Sequence, residues 1–171
     1  MDDEDNVPRT PQDPGEVAPE TERVQSHWDR AMADMEATAA EYREDGWNVL
    51  ELHPGDVVAL GPDRADRWGL DLLVADDEFD DLVAWVEAEG SRFDACEVYR
   101  AESGGVLYLL VAMQDPDADR VVLFPVYYDP SRATGMLSAA RDAGEMRIHL
   151  HPLATEPVVT FTQSDPSLFA P

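Results

Sequence analysis

Val106-Leu107-Tyr108-Leu109-Leu110-Val111-Ala112-Met113 carries no charged residue. A strand made of it has no face suited to water, so it belongs in the middle of a sheet with both sides covered. Just before it, Glu102-Ser103-Gly104-Gly105 supplies the glycines of a tight hairpin turn, which makes Phe93 to Ala101 its antiparallel partner. Just after it, Gln114 to Asp119 is a turn and Val121 to Tyr128 is a third apolar strand. Pro125 inside that strand has no N–H to give to a ladder, so the strand has an edge or a bulge there.

Moving toward the N-terminus, Phe79, Leu82, Val83 and Val86 form a helical stripe that Asp76 caps and Gly90 closes. Trp68 to Val74 is a mostly apolar strand. Trp47 to His53 and Asp56 to Leu60 are two short strands around Pro54-Gly55. In the first of these, Trp47 and Val49 take one side and Leu50 and Leu52 the other. Before them, Val24, Trp28, Met32, Met35, Ala39 and Tyr42 recur at spacings of three and four, one face of a long helix. Thr21 is its expected cap and Gly46 its end. Toward the C-terminus, Ser131 is expected to cap a third helix carrying Met136, Leu137 and Ala140 and ended by Gly144. Strands Met146 to His151 and Val158 to Thr162 follow.

The expected fold is therefore α+β, a mainly antiparallel sheet with three helices in the order α-βββ-α-βββ-α-ββ. Residues 1–20 hold Pro8, Pro11, Pro14 and Pro19 among acids, with no apolar periodicity, and read as a disordered acidic tail. Residues 21–171 read as a single domain. No glycine-rich loop follows a strand to cradle phosphates.

The net charge is -25, all 12 basic residues are Arg, and Ile148 is the only isoleucine. Such self-repulsion destabilises a compact chain at low ionic strength. In molar salt the Debye length falls to ~3 Å and the repulsion is screened. The composition reads as adaptation to a salt-filled cytoplasm. It argues against nucleic acid, which calls for a basic stripe, whereas arginines here sit among acids, as in Asp63-Arg64-Ala65-Asp66-Arg67. No apolar run approaches the ~20 residues of a membrane span. Met1-Asp2-Asp3-Glu4-Asp5 is acidic where a signal peptide is basic, and the single Cys96 fits a reducing compartment. These features point to a cytoplasmic chain with no membrane partner.

Five blocks stand out: Ala37-Thr38-Ala39-Ala40-Glu41-Tyr42-Arg43, Leu50-Glu51-Leu52-His53-Pro54-Gly55-Asp56, Trp68-Gly69-Leu70-Asp71, Tyr127-Tyr128-Asp129 and Thr160 through Phe169. Together they resemble a family of uncharacterised haloarchaeal proteins, a domain of unknown function. The resemblance runs over about residues 24–171. It implies a salt-adapted, cytoplasmic protein and carries no catalytic or binding residue with it.

Chemistry is sparse. Arg43-x-x-Gly46 leading to Leu50-x-Leu52-His53-Pro54 is echoed by Arg141-x-x-Gly144 leading to Ile148-x-Leu150-His151-Pro152. A duplicated unit would let Glu51, His53, His149 and His151 converge on a metal, since imidazoles two apart on a strand share a face. Against this, any helix–Gly–strand–Pro junction gives the same pattern. Leu50, Leu52, Ile148 and Leu150 also take the inward phase, which turns the polar groups to solvent. There is no Gly-x-Ser-x-Gly elbow, and Cys96, in phase with Val98, is expected to be buried and inert. With 37 acids, no carboxylate pair is specific.

Three functions are carried forward, with no cofactor expected and no catalytic residue assigned. The first is a non-enzymatic interaction or adaptor module acting on a protein partner or a second copy. The second is a small-molecule binder or enzyme with a pocket over the sheet near Trp68, Tyr108, Tyr127 and Tyr128. The third is a metal-dependent hydrolase using the histidines. A convergent pocket with shifted titratable groups favours the second or third; an exposed apolar patch without a deep pocket favours the first. Leu168 and Phe169, an apolar pair after Asp165-Pro166-Ser167, either fold back as a plug or dock on another molecule.

Overall fold

The computed structural model describes residues 18–63 and 67–171. The chain divides into two compact units, one reaching Arg30 and the other spanning Ala31–Pro171. Helix α1 (Ala18–Glu44) begins in the first and ends in the second. In the first unit, Gln25 donates to Asp29 one turn on at 3.0 Å. Thr21 lies inside α1 and does not begin it. Of the expected acidic tail, residues 1–17 lie outside the described residues.

In the second unit α1 is followed by β1 (Asn48–Glu51), β2 (Asp56–Leu60), β3 (Gly69–Leu73), α2 (Asp76–Glu87), β4 (Ala95–Ser103), β5 (Val106–Asp115), β6 (Arg120–Tyr128), α3 (Thr134–Ala143), β7 (Met146–His151) and β8 (Val159–Gln163). The element order is the one read from the sequence. The strands form two sheets, ordered β1-β6-β5-β4 and β2-β3-β7-β8. Both are mixed, because β1 runs parallel to β6 and β3 parallel to β7 while the other ladders are antiparallel.

β5 lies between β6 and β4, as its two-faced apolar run requires. Leu107, Leu109, Val111 and Met113 face a core shared with the second sheet, where Leu70, Leu72, Ile148 and Leu150 meet them. Phe124 of β6 stacks on Phe161 of β8 across that core, centroids 6.4 Å apart. On the other face, Leu110 and Ala112 join Val121 and Leu123 under Met35 and Ala39 of α1. Trp47 and Val49 pack into this smaller cluster, and Leu50 and Leu52 into the main core, as their alternation predicts.

The hairpin between β4 and β5 turns on Gly104 and Gly105, both left-handed at φ 60° and 82°. Pro125 marks an edge. Leu52 donates to the Leu123 carbonyl at 2.8 Å, so alternate residues of β6 turn their backbone groups toward β1. The β1 ladder stops at Glu51 opposite Leu123. Pro125 falls one such position further on, where a missing N–H costs no ladder bond.

Besides Thr21, two more caps differ from expectation. Asp76 is the first residue of α2, after Ala75, and with Asp77 and Glu78 puts carboxylates at the positive end of the helix dipole. Ser131 lies in a 3-10 turn, Pro130–Arg132, capped by the Asp129 side chain, and α3 starts at Thr134. Gly144 ends α3 in the left-handed conformation at φ 69°. The echoed junctions also part company: β1 is an edge strand of one sheet, whereas β7 lies inside the other.

Candidate functional site

The four aromatic residues expected to line one pocket are divided between surfaces. Tyr127 and Tyr128 are consecutive in β6, so they face opposite sides. Tyr128 enters the main core, where its hydroxyl donates to the Phe169 carbonyl. Trp68 packs at the border of the same core just before β3, with the Arg147 guanidinium 4.6 Å from its ring centroid. Tyr127 instead pairs across the ladder with Tyr108, their rings stacked at 6.2 Å on the side that α1 covers.

That side holds a cleft of about 290 Å³. Its wall on α1 is Ala31, Asp34, Ala37 and Thr38; its floor comes from β4 and β5, with Tyr99, Ala101, Tyr108 and Leu110. The cleft exists because small residues stand on α1 beside the packed positions Met35 and Ala39, leaving room over the strands. Tyr99 is 48% exposed at its mouth. Arg100 borders the cleft from β4, but alternation places its side chain on the core side of the sheet, where its charge acts on Tyr128.

A hydrogen-bond chain ties helix to strands beside the cleft. Gln114 donates to the Tyr42 hydroxyl at 2.7 Å, Tyr42 donates to Glu97 at 3.0 Å, and Tyr99 donates to Glu97 at 3.1 Å. Burial, then the Glu97 charge, pushes the Tyr99 phenol above its ordinary value, and burial followed by Tyr127 does the same for Tyr108. The rings that border the cleft are therefore neutral phenols. Sequence reasoning found Tyr108, with Tyr127 stacked on it outside the lining, and missed Asp34, Thr38 and Tyr99. The signal available was the i, i+4 pair Asp34 and Thr38 beside the helical stripe, and Tyr99 in phase with Glu97.

The histidines lie elsewhere. Glu51 is bound to Arg43 at 3.0 Å, and His53 Nδ1 meets Glu78 at 2.8 Å. His149 and His151 stand on the outer face of the second sheet, opposite Ile148 and Leu150 as their phase predicts. Solvent does not reach His149, however, which is only 4% exposed. Its Nε2 bonds the Trp68 carbonyl and its Nδ1 the Thr160 hydroxyl, both at 2.9 Å. Burial lowers its basicity. The neutral ring fits both bonds by donating from Nε2 and accepting at Nδ1. His151 is engaged at both nitrogens too, by the Pro152 carbonyl at 2.8 Å and Asp71 at 2.6 Å. Arg67 holds the other Asp71 oxygen at 2.7 Å.

These side chains form a covered polar layer with both nitrogens of each ring in use, which leaves none for a substrate proton. Glu51 and His53 do not converge with His149 and His151. No group of three or more His, Cys, Asp or Glu among the described residues is placed to hold a metal. Cys96 is partly buried, and burial raises its thiol to about 11, away from the reactive thiolate.

At the C-terminus, Asp165 accepts from the Ser167 N–H and opens a 3-10 turn, Pro166–Phe169. Phe169 is fully buried in the main core and Leu168 is partly buried against it.

The chain belongs to a family of unknown function, DUF7529, whose match covers residues 15–171. No curated protein matches it, and no solved structure does. Among the described residues no helix is long and apolar enough to cross a membrane.

Proposed function

We propose that this protein is a non-enzymatic binding module of a salt-adapted cytoplasm, and that it takes a small molecule in the cleft between α1 and the β4–β5 hairpin. The observation that carries the reading is the cleft itself: a concave, mostly apolar space over the sheet, floored by Tyr108 and flanked by Tyr99. It supports the second of the sequence-based functions in its binding form. The alternative of an apolar docking patch has less behind it, because the exposed large apolar residues Val58, Tyr99 and Leu153 stand on three separate segments. What supports binding over catalysis is the lining, in which Asp34 is the one carboxylate and the rest is mostly alanine, leucine and tyrosine.

Chemical-shift mapping with millimolar phenol in molar potassium chloride tests this. Shifts are expected at Ala37, Thr38, Tyr99 and Tyr108, and Ala37→Trp, at an exposed helix position, should remove them by filling the space. Shifts scattered over the surface, or unchanged in the filled variant, would sink the reading.

A further inference from the structure

We infer that the ligand class of this cleft is an organic cation of the quaternary ammonium type; this rests on the cleft being a binding site. Three features of the cleft converge on that chemistry. The first is aromatic faces. Tyr108 forms the floor, stacked on Tyr127 at 6.2 Å, and Tyr99 stands at the mouth. The negative face of a phenol ring attracts a cation within about 6 Å of its centroid, and more strongly where water is excluded.

The second is charge. Asp34 is the one ionisable side chain on the helical wall, and no hydrogen bond or ion pair engages it among the described residues. Glu97 accepts from Tyr99 at the mouth, and the Glu41 charge also acts on Tyr99. The nearest arginine on the strands, Arg100, has its side chain on the other face of the sheet. An anion would thus meet three carboxylates and no arginine side chain on the strand floor, whereas a cation meets the field it needs.

The third is the shape and polarity of the remaining wall. Ala31, Ala37, Ala101 and Leu110 offer methyl groups and no donors. A primary ammonium keeps three N–H groups that must find acceptors, and the cleft supplies few. A fully alkylated nitrogen has none to satisfy. It presents methyl groups to the alanines and its charge to the rings and Asp34. The space of about 290 Å³ holds a small head of this kind and excludes a long chain.

The test compares choline with 3,3-dimethylbutan-1-ol, which has the same shape with carbon in place of the charged nitrogen. Both are titrated into the full chain at constant molar potassium chloride, with amide shifts as the readout. Choline is expected to shift Thr38, Tyr99 and Tyr108, with at least tenfold tighter binding than the alcohol. Asp34→Asn and Tyr108→Leu should each weaken choline several-fold while leaving the alcohol's affinity within about twofold. Asp34 is exposed, so its replacement keeps the fold even if the Tyr108 change disturbs it. Equal binding of the two probes in the cleft would overturn the cation assignment and leave the binding site standing. Absence of cleft shifts with either probe and with phenol would overturn both.

Discussion

Replacing Phe169 with Ala removes a side chain that is fully buried in the main core, two residues before the last one of the chain. A Phe→Ala change at such a site costs about 3–5 kcal/mol, the sum of lost transfer energy and the cavity left behind. The bond from the Tyr128 hydroxyl goes to the Phe169 carbonyl, so the substitution leaves it available and the loss isolates the ring. For a domain of this size, about 2–4 °C of melting temperature is lost per kcal/mol, which gives a fall of roughly 6–20 °C. Leu168→Ala is the internal control. Leu168 is only partly buried, so about 1 kcal/mol and a few degrees are expected. Calorimetry of both variants in molar potassium chloride provides the measurement, with sedimentation to follow the oligomeric state. If Phe169→Ala melts within 2 °C of the parent while an associated partner or second copy is lost, the ring is a docking element and the plug reasoning fails. Deleting residues 165–171 should exceed the single substitution, because it also removes the carbonyl that Tyr128 bonds and the Asp165–Ser167 turn.

Lowering potassium chloride from molar to tens of millimolar should cut the melting temperature steeply, given a net charge of -25; a flat or rising profile speaks against salt adaptation. Burial depresses the basicity of His149, so the unfolded chain takes up a proton near pH 6.5 before the folded one does. Stability is thus full above about pH 7.5 and declines as pH falls through that range, and His149→Gln should flatten this part of the profile; an unchanged slope in urea titrations would contradict it. Gly69 sits at φ 130° with its missing Cβ aimed at the Arg147 carbonyl, so Gly69→Ala should cost about 3 kcal/mol or more and is checked by the denaturation midpoint.

Much of the architecture could be read from local pattern. Gly46 and Gly144 closed α1 and α3, and the Gly104-Gly105 turn joined β4 to β5, because those positions answer to backbone sterics within a few residues. The split into two sheets could not be read the same way. Nothing near Val49 says that its ladder partner is Val121, and the parallel pairing of β3 with β7 is equally remote. Exposure was misjudged for a similar reason. The phase of His149 on β7 was correct, but the Trp68 segment that covers it comes from another part of the chain. The tyrosines were a different case. Their separation onto two faces was already legible in the adjacency of Tyr127 and Tyr128, since period-two alternation forbids one pocket from holding both. The i, i+4 spacing of Asp34 and Thr38 beside the stripe was legible, but that this side of α1 walls a cleft depends on its lying over β4 and β5.

The two parallel ladders also fix an order of events during synthesis. β1 reaches its partner only after β6 has been made, and β3 reaches its own only after β7, near the end of the chain. Until then Leu50, Leu52, Leu70 and Leu72 have no completed sheet to enter, and the early part of the chain can close no more than the β2–β3 ladder. The β4–β5–β6 meander is local and closes its loops cheaply, so it is the natural first body on which the earlier strands assemble. A nascent chain halted before residue 120 has α1 and β4 to set against β5 but lacks β6, β7 and β8, so one edge of β5 stays unpaired and its core face is only partly covered. An unpaired edge on so apolar a strand is an aggregation hazard until β6 emerges to pair with it.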